Sequence, residues 1–92
     1  MDFLDDIDIK ILKENFDKDL IKQIDPENVV KIFKYLNNNG VYYTKDLFLD
    51  SLDLFLFPYE NFVMRFEYLK TVLGNDYVDK LGEDISLIEF MY

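Results

Sequence analysis

Glu27-Asn28-Val29-Val30-Lys31-Ile32-Phe33-Lys34-Tyr35-Leu36 and Glu60-Asn61-Phe62-Val63-Met64-Arg65-Phe66-Glu67-Tyr68-Leu69 are two versions of one segment, set 33 residues apart and identical at six of ten positions. In both, apolar residues return at three- and four-residue steps: Val29, Val30, Ile32, Phe33 and Leu36 in the first, Phe62, Val63, Phe66, Leu69 and Leu73 in the second. That period is one face of an α-helix. Local chemistry marks the ends. Asp25-Pro26-Glu27 supplies a cap, a first-turn proline and an acid at the positive end of the helix dipole, and Asn37-Asn38-Asn39-Gly40 supplies a left-handed stop. Pro58 and Glu60 open the second segment and Gly74 closes it. The spacing predicts helices over Pro26 to Asn38 and Tyr59 to Leu73.

Outward from these, Thr44 is a candidate cap for a helix through about Phe55, with Phe48, Leu52 and Phe55 on one stripe and Leu47, Leu49 and Leu56 beside it. The alternation of Leu52, Leu54 and Leu56 competes as a strand, but a lone strand would leave its backbone ladder unpaired. Two short helices are expected near Phe3 to Glu14 and Asp17 to Ile24. Asn75 or Asp76 caps another through Leu81 that Gly82 ends, and Asp84 starts a final turn or two through Phe90. The expected fold is all-α, a single small domain of five or six short helices: N-terminal helices over 1–25, a first repeat over 26–58 and a second over 59–92. Neither repeat of about 33 residues can bury its stripe alone, so stacking makes the core.

The pattern Glu60-Asn61, then Arg65-Phe66-Glu67-Tyr68-Leu69, then Leu73-Gly74 resembles the mitochondrial transcription termination factor (mTERF-type) repeat, as does Glu27-Asn28 to Leu36 and Gly40. The resemblance covers residues 26–92. It implies units of two α-helices and a short 3₁₀ turn stacked in a left-handed solenoid that binds nucleic acid in a basic groove. This chain departs from the family in having few repeats and in being acidic, and only Arg65 matches the family's helix arginine.

Composition narrows function. Ninety-two residues make one domain with one modest core, and half of them are apolar, too many for a disordered chain. The sequence has no Cys, His, Trp or Ala, which removes disulfides, thiol and imidazole chemistry and the common Cys/His zinc sites. Nineteen acids against ten bases give a net charge of -9, and 47–92 carries 3 basic against 9 acidic residues. Such a chain is repelled by phosphate backbones and anionic lipid. Nucleic acid is therefore disfavoured as a partner. The acidic opening Met1-Asp2-Phe3-Leu4-Asp5-Asp6 lacks the basic stretch of a signal or transit peptide, so a cytoplasmic location is expected. The most apolar run, Leu47 to Phe57, is about half the ~20 residues of a spanning helix and is interrupted by Asp50 and Asp53, so no membrane partner is expected.

Candidate site residues follow from charge and aromatic placement. Asp46, Asp50 and Asp53 fall at i, i+4 and i+7, one carboxylate row on the expected helix. The row reads as an anionic ridge for Lys/Arg on another protein; a solvated helix face has the same pattern. Tyr42, Tyr43, Tyr59, Tyr77 and Tyr92 sit at or beyond helix ends, where a half-exposed ring serves an interface or caps a small core. Asp2, Asp5, Asp6 and Asp8 lack the glycine and closing glutamate of a calcium loop. Ser51, Ser86, Thr44 and Thr71 have no His or Lys neighbour in a nucleophile motif, and Asn37-Asn38-Asn39-Gly40 lacks the Lys and Ser/Thr of a P-loop. No catalytic residue, cofactor or metal is assigned. The expected function is a non-catalytic acidic module that engages or blocks a basic surface on a partner protein, in the limit as a nucleic-acid mimic. The alternatives are a module that forms a homodimer through its apolar last helix, and nucleic-acid binding in a groove of Lys10, Lys13, Lys31, Lys34 and Arg65.

Overall fold

Side-chain caps mark where two of the α-helices begin. The structure, a computed structural model describing residues 4–92, starts helix α1 (Asp6–Asn15) with a reciprocal capping box. The Asp5 carboxylate accepts the Asp8 amide at 2.9 Å and the Asp8 carboxylate accepts the Asp5 amide at 3.1 Å. The helix therefore opens at Asp6; Phe3, where the periodicity put its start, lies outside the described residues. Helix α2 (Lys18–Lys22) is shorter than the Asp17 to Ile24 expected. Helix α3 (Pro26–Asn38) has Pro26 in its first turn and Asp25 accepting the Glu27 amide at 3.1 Å. It stops in a Schellman turn. The Val41 amide reaches the Leu36 carbonyl and the Gly40 amide that of Asn37, both at 3.0 Å, with Gly40 at φ +86°.

The segment after Gly40 corrects two expectations. Helix α4 (Thr44–Asp50) has no side-chain cap: the Thr44 hydroxyl donates instead to the Asn37 side-chain oxygen (3.0 Å) and the Val41 carbonyl (3.2 Å). The helix does not run to Phe55. It breaks at Ser51, and a first 3₁₀ turn (Leu52–Leu56) follows. The reason is burial: Leu52, Leu54 and Phe55 are all fully buried. On a continuous α-helix, Leu52 and Leu54 would point about 200° apart, leaving one of them in water. The break lets both enter the core.

Helix α5 (Tyr59–Leu73) matches its expected bounds and ends at Gly74, φ +84°. Helix α6 (Tyr77–Glu83) runs through Gly82 instead of ending there. Gly82 serves close approach: a Cβ on it would lie 2.9 Å from the Tyr43 ring. A second 3₁₀ turn (Ile85–Met91) follows, its Asp84 cap accepting the Ser86 amide at 3.2 Å.

The domain is all-α, with six α-helices and two 3₁₀ turns among the described residues and no strand. The order long helix, short helix, 3₁₀ turn occurs twice: Pro26, Thr44 and Leu52 begin the first set, and Tyr59, Tyr77 and Ile85, each 33 residues on, begin the second. Helices α3 and α5 lie against each other; the first 3₁₀ turn packs on α3 and α4, and the second on α5 and α6. Helix α1 packs on α2 and α4. A run of rings joins the units: Phe48 to Phe55 at 5.2 Å, Phe55 to Phe62 at 5.3 Å and Phe62 to Phe66 at 6.2 Å, all four buried. Among the described residues no helix is long and apolar enough to cross a membrane.

Candidate functional site

The acidic row survives the helix break in altered form. Asp46 and Asp50 share one exposed face of α4, opposite the buried Leu47 and Phe48. Asp53 is exposed on the 3₁₀ turn, so the row is carried by two elements and not by one helix. Asp53 and Asp50 each accept a hydroxyl, from different residues. Tyr92 donates to Asp53 at 2.7 Å, and the Ser51 hydroxyl donates to Asp50 at 3.1 Å. Burial, then the Asp53 hydrogen bond and charge, push the Tyr92 phenol above its ordinary range. The cation beside Asp46 is already engaged: Lys45 pairs with Asp8 of α1 at 2.9 Å. That hydrogen bond is the main cause holding the Asp8 carboxyl below the usual carboxylate value and raising the Lys45 ammonium above its own. Neither Asp46, Asp50 nor Asp53 forms an ion pair among the described residues.

The tyrosines divide. Tyr42, just before α4, is 81% exposed and lies edge-on to Tyr43 at 5.0 Å. Tyr43, expected at the interface, is only 8% exposed; its hydroxyl donates to the Val78 carbonyl at 2.5 Å, and burial pushes its pKa up to about 12. Tyr59 and Tyr77 are half-buried elsewhere, Tyr59 edge-on to Tyr35 at 6.3 Å and Tyr77 edge-on to Phe66 at 6.0 Å, so they do not join the acidic row. The structure thus gathers Asp46, Asp50, Asp53 and Tyr42 on exposed positions of α4 and its flanks and turns the other three candidates to structural use.

The Lys70 cluster is what sequence reasoning missed. Lys70 pairs with Glu67 at 2.7 Å, donates to the Asn39 side-chain oxygen, and stands 5.3 Å from the Tyr77 ring centroid, 5.8 Å from that of Tyr35 and 5.9 Å from that of Phe66. Tyr35 donates to Glu67, and Tyr77 donates to the Asn39 carbonyl at 2.9 Å. The Lys70 hydrogen bond first, then that of Tyr35, hold the Glu67 carboxyl below its usual value. An open hollow of about 410 Å³ lies beside it, lined by Glu67, Lys70, Thr71, Gly74, Asn75 and Tyr77. The cluster joins the two units: Tyr35 and Asn39 come from α3 and its C-cap, Glu67 and Lys70 from α5. The only clue available beforehand was the recurrence of Tyr35 as Tyr68.

The hydroxyls and the arginine are engaged within the fold. Thr71 donates to the Tyr68 carbonyl at 2.6 Å and Ser86 to Asp84 at 2.5 Å. Arg65 donates to the Met91 carbonyl at 2.7 Å, with its guanidinium 4.5 Å from the Phe57 ring centroid. It pins the second 3₁₀ turn to α5 and does not project into a groove. Lys10, Lys13, Lys31 and Lys34 are exposed. Lys13, Lys18 and Lys22 line, with Ile21, a shallow hollow of about 300 Å³ between α1 and α2. Asp5 and Asp8 are committed to the capping box, Asp2 lies outside the described residues, and no group of three or more metal-ligating side chains is gathered among the described residues. No family model matches the chain, and no curated protein or solved structure matches it.

Proposed function

We propose that this protein is a non-catalytic binding module that works in the cytoplasm by occupying a basic surface on a partner protein, with Asp46, Asp50 and Asp53 as the contact row and Tyr42 beside them. The observation that carries the reading is the set of exposed carboxylates on α4 and the first 3₁₀ turn that pair with no cation among the described residues, in a chain of net charge -9. Unpaired surface acids raise the local concentration of a cationic partner and steer its approach, an effect that salt screens within about 8 Å at physiological ionic strength. In the limiting case the row stands in for the phosphates of a nucleic acid and blocks the site that would read them.

The test is affinity capture of a partner at low and then high salt, repeated with Asp46→Asn/Asp50→Asn. The double variant should weaken the complex by about 1 to 2 kcal/mol, roughly 5- to 30-fold. A partner without a basic face, or a complex indifferent to salt and to the double variant, overturns the proposal. Asp53 is left out of the variant because it also holds Tyr92.

Kinship with mTERF-type repeats belongs to this proposal on the side of fold alone, and the twofold order of two helices and a 3₁₀ turn is in keeping with it. The family's nucleic-acid groove is not carried over, since the arginine that matches its pattern is engaged by Met91 and Phe57.

A further inference from the structure

Lys13, Lys18 and Lys22 converge on one hollow of about 300 Å³ between α1 and α2, with half-buried Ile21 as the fourth residue lining it. A lysine beside apolar surface lays its methylene stem along the wall and keeps its ammonium in water. The hollow therefore has a hydrocarbon floor and a cationic rim. Helix chemistry does not account for this grouping. Lys13 and Lys22 stand in the last turns of α1 and α2, where the helix dipole favours a cation, but Lys18 is the first residue of α2, where the dipole opposes one. Lys18 and Lys22 are also four residues apart on one helix, a like-charge spacing that costs stability. Glu14, Asp17 and Asp19 are near in sequence, yet none of them forms an ion pair with these lysines among the described residues. Residues 10–22 hold four lysines against three acids, a local balance that the net charge of -9 hides.

We propose that this hollow binds a small organic monoanion with an apolar body, an aryl- or alkyl-carboxylate. The body covers Ile21 and the lysine stems, and the carboxylate sits among the three ammoniums and relieves their mutual repulsion. Each half of such a ligand answers a different half of the hollow. An inorganic anion leaves the apolar floor wet, and a neutral hydrocarbon leaves the ammoniums unpaired. A polyanion is selected against, because its further charges meet the exposed Glu14, Asp17 and Asp19. One charge on a compact body suits an open hollow of this size.

Phenylbutyrate is the probe, titrated into the full chain and followed by amide NMR. Shifts should map to the end of α1 and to α2, with a Kd on the order of 1 mM for an anion of this size. Lys18→Gln/Lys22→Gln changes two exposed side chains and should weaken binding roughly 5- to 30-fold with helical circular dichroism unchanged. Phenylbutanol, which lacks the charge, and acetate, which lacks the ring, should each bind at least about 10-fold more weakly, and phenylbutylamine should not bind. Raising salt from ~50 to ~500 mM should weaken phenylbutyrate binding by screening the ammoniums. A Kd indifferent to the lysine variant, equal binding of the alcohol, the amine or inorganic phosphate, shifts centred elsewhere on the fold, or no shift at ~20 mM overturns the proposal. The Asp46→Asn/Asp50→Asn variant should bind phenylbutyrate as tightly as the parent chain, so this test and that of the acidic row read separate surfaces.

Discussion

Gly82 shows how a residue's meaning depends on what stands opposite it. By helix propensity, alanine at a helical glycine stabilises by about 1 kcal/mol. Here the added methyl would meet the Tyr43 ring at 2.9 Å, and that ring is tethered through its hydroxyl to Val78. Gly82→Ala should therefore destabilise, by about 1 to 3 kcal/mol in urea unfolding, as overpacking does. In a Tyr43→Ala background the same change should become neutral or stabilising, which separates the contact from the backbone effect. Tyr35→Phe should cost about 1 kcal/mol, because the Glu67 carboxylate loses a hydroxyl donor. Arg65 carries more than a charge: Arg65→Lys keeps the charge but loses the planar contact with Phe57 and the fixed reach to Met91. The identities of these residues were plain in the sequence. Their hydrogen-bond partners, 26 to 35 positions away, were not.

Elements were legible where their signals are local. Helix α3 begins at a capped proline, α5 begins after Pro58, and a glycine closes each, because an N-cap or a proline acts within three residues and a glycine stop within six. Asp25→Ala should cost about 1 kcal/mol through the lost cap at Glu27. Gly40→Ala should cost about 1 to 2 kcal/mol, since φ of +86° strains any residue with a Cβ. Both costs are checked by thermal or urea unfolding. Helix α4 was misread for the opposite reason. Periodicity alone favours one helix from Thr44 to Phe55, but the core needs Leu52, Leu54 and Phe55 together, and that demand exists only once α3 and α5 are in place. The acidic row was legible as spacing; its division between α4 and the 3₁₀ turn, and the tie of Asp53 to Tyr92, were not.

At the scale of the whole molecule, stability should be flat near neutral pH and fall on both sides. Asp8 and Glu67 have folded pKa values below their unfolded ones, so their contribution is present above the ordinary carboxylate value and is lost as pH falls through the folded value. The shrinking net charge near the pI of 4.2 offsets part of that loss. Tyr35, Tyr43 and Tyr92 are raised above the ordinary phenol value of 10.0. The native state favours their neutral form, so this contribution is complete below pH 10 and is lost as pH rises through the folded values. Urea titrations from pH 3 to 12 should trace both limbs, with Tyr35→Phe flattening the alkaline one. Phe55→Ala, at the centre of the ring column, should cost about 3 to 5 kcal/mol and threaten folding of so small a domain. What the amino-acid order determined by itself was the helical class, the recurrence at 33 residues, the bounds of the two long helices and the excess of acid. Those properties are summed over composition or act through neighbours within about two helical turns. Tertiary structure alone decided which tyrosines meet water, where α4 breaks, and what Arg65 and Lys70 hold. Each of those depends on surfaces brought together across some thirty residues of chain, where no local signal reaches.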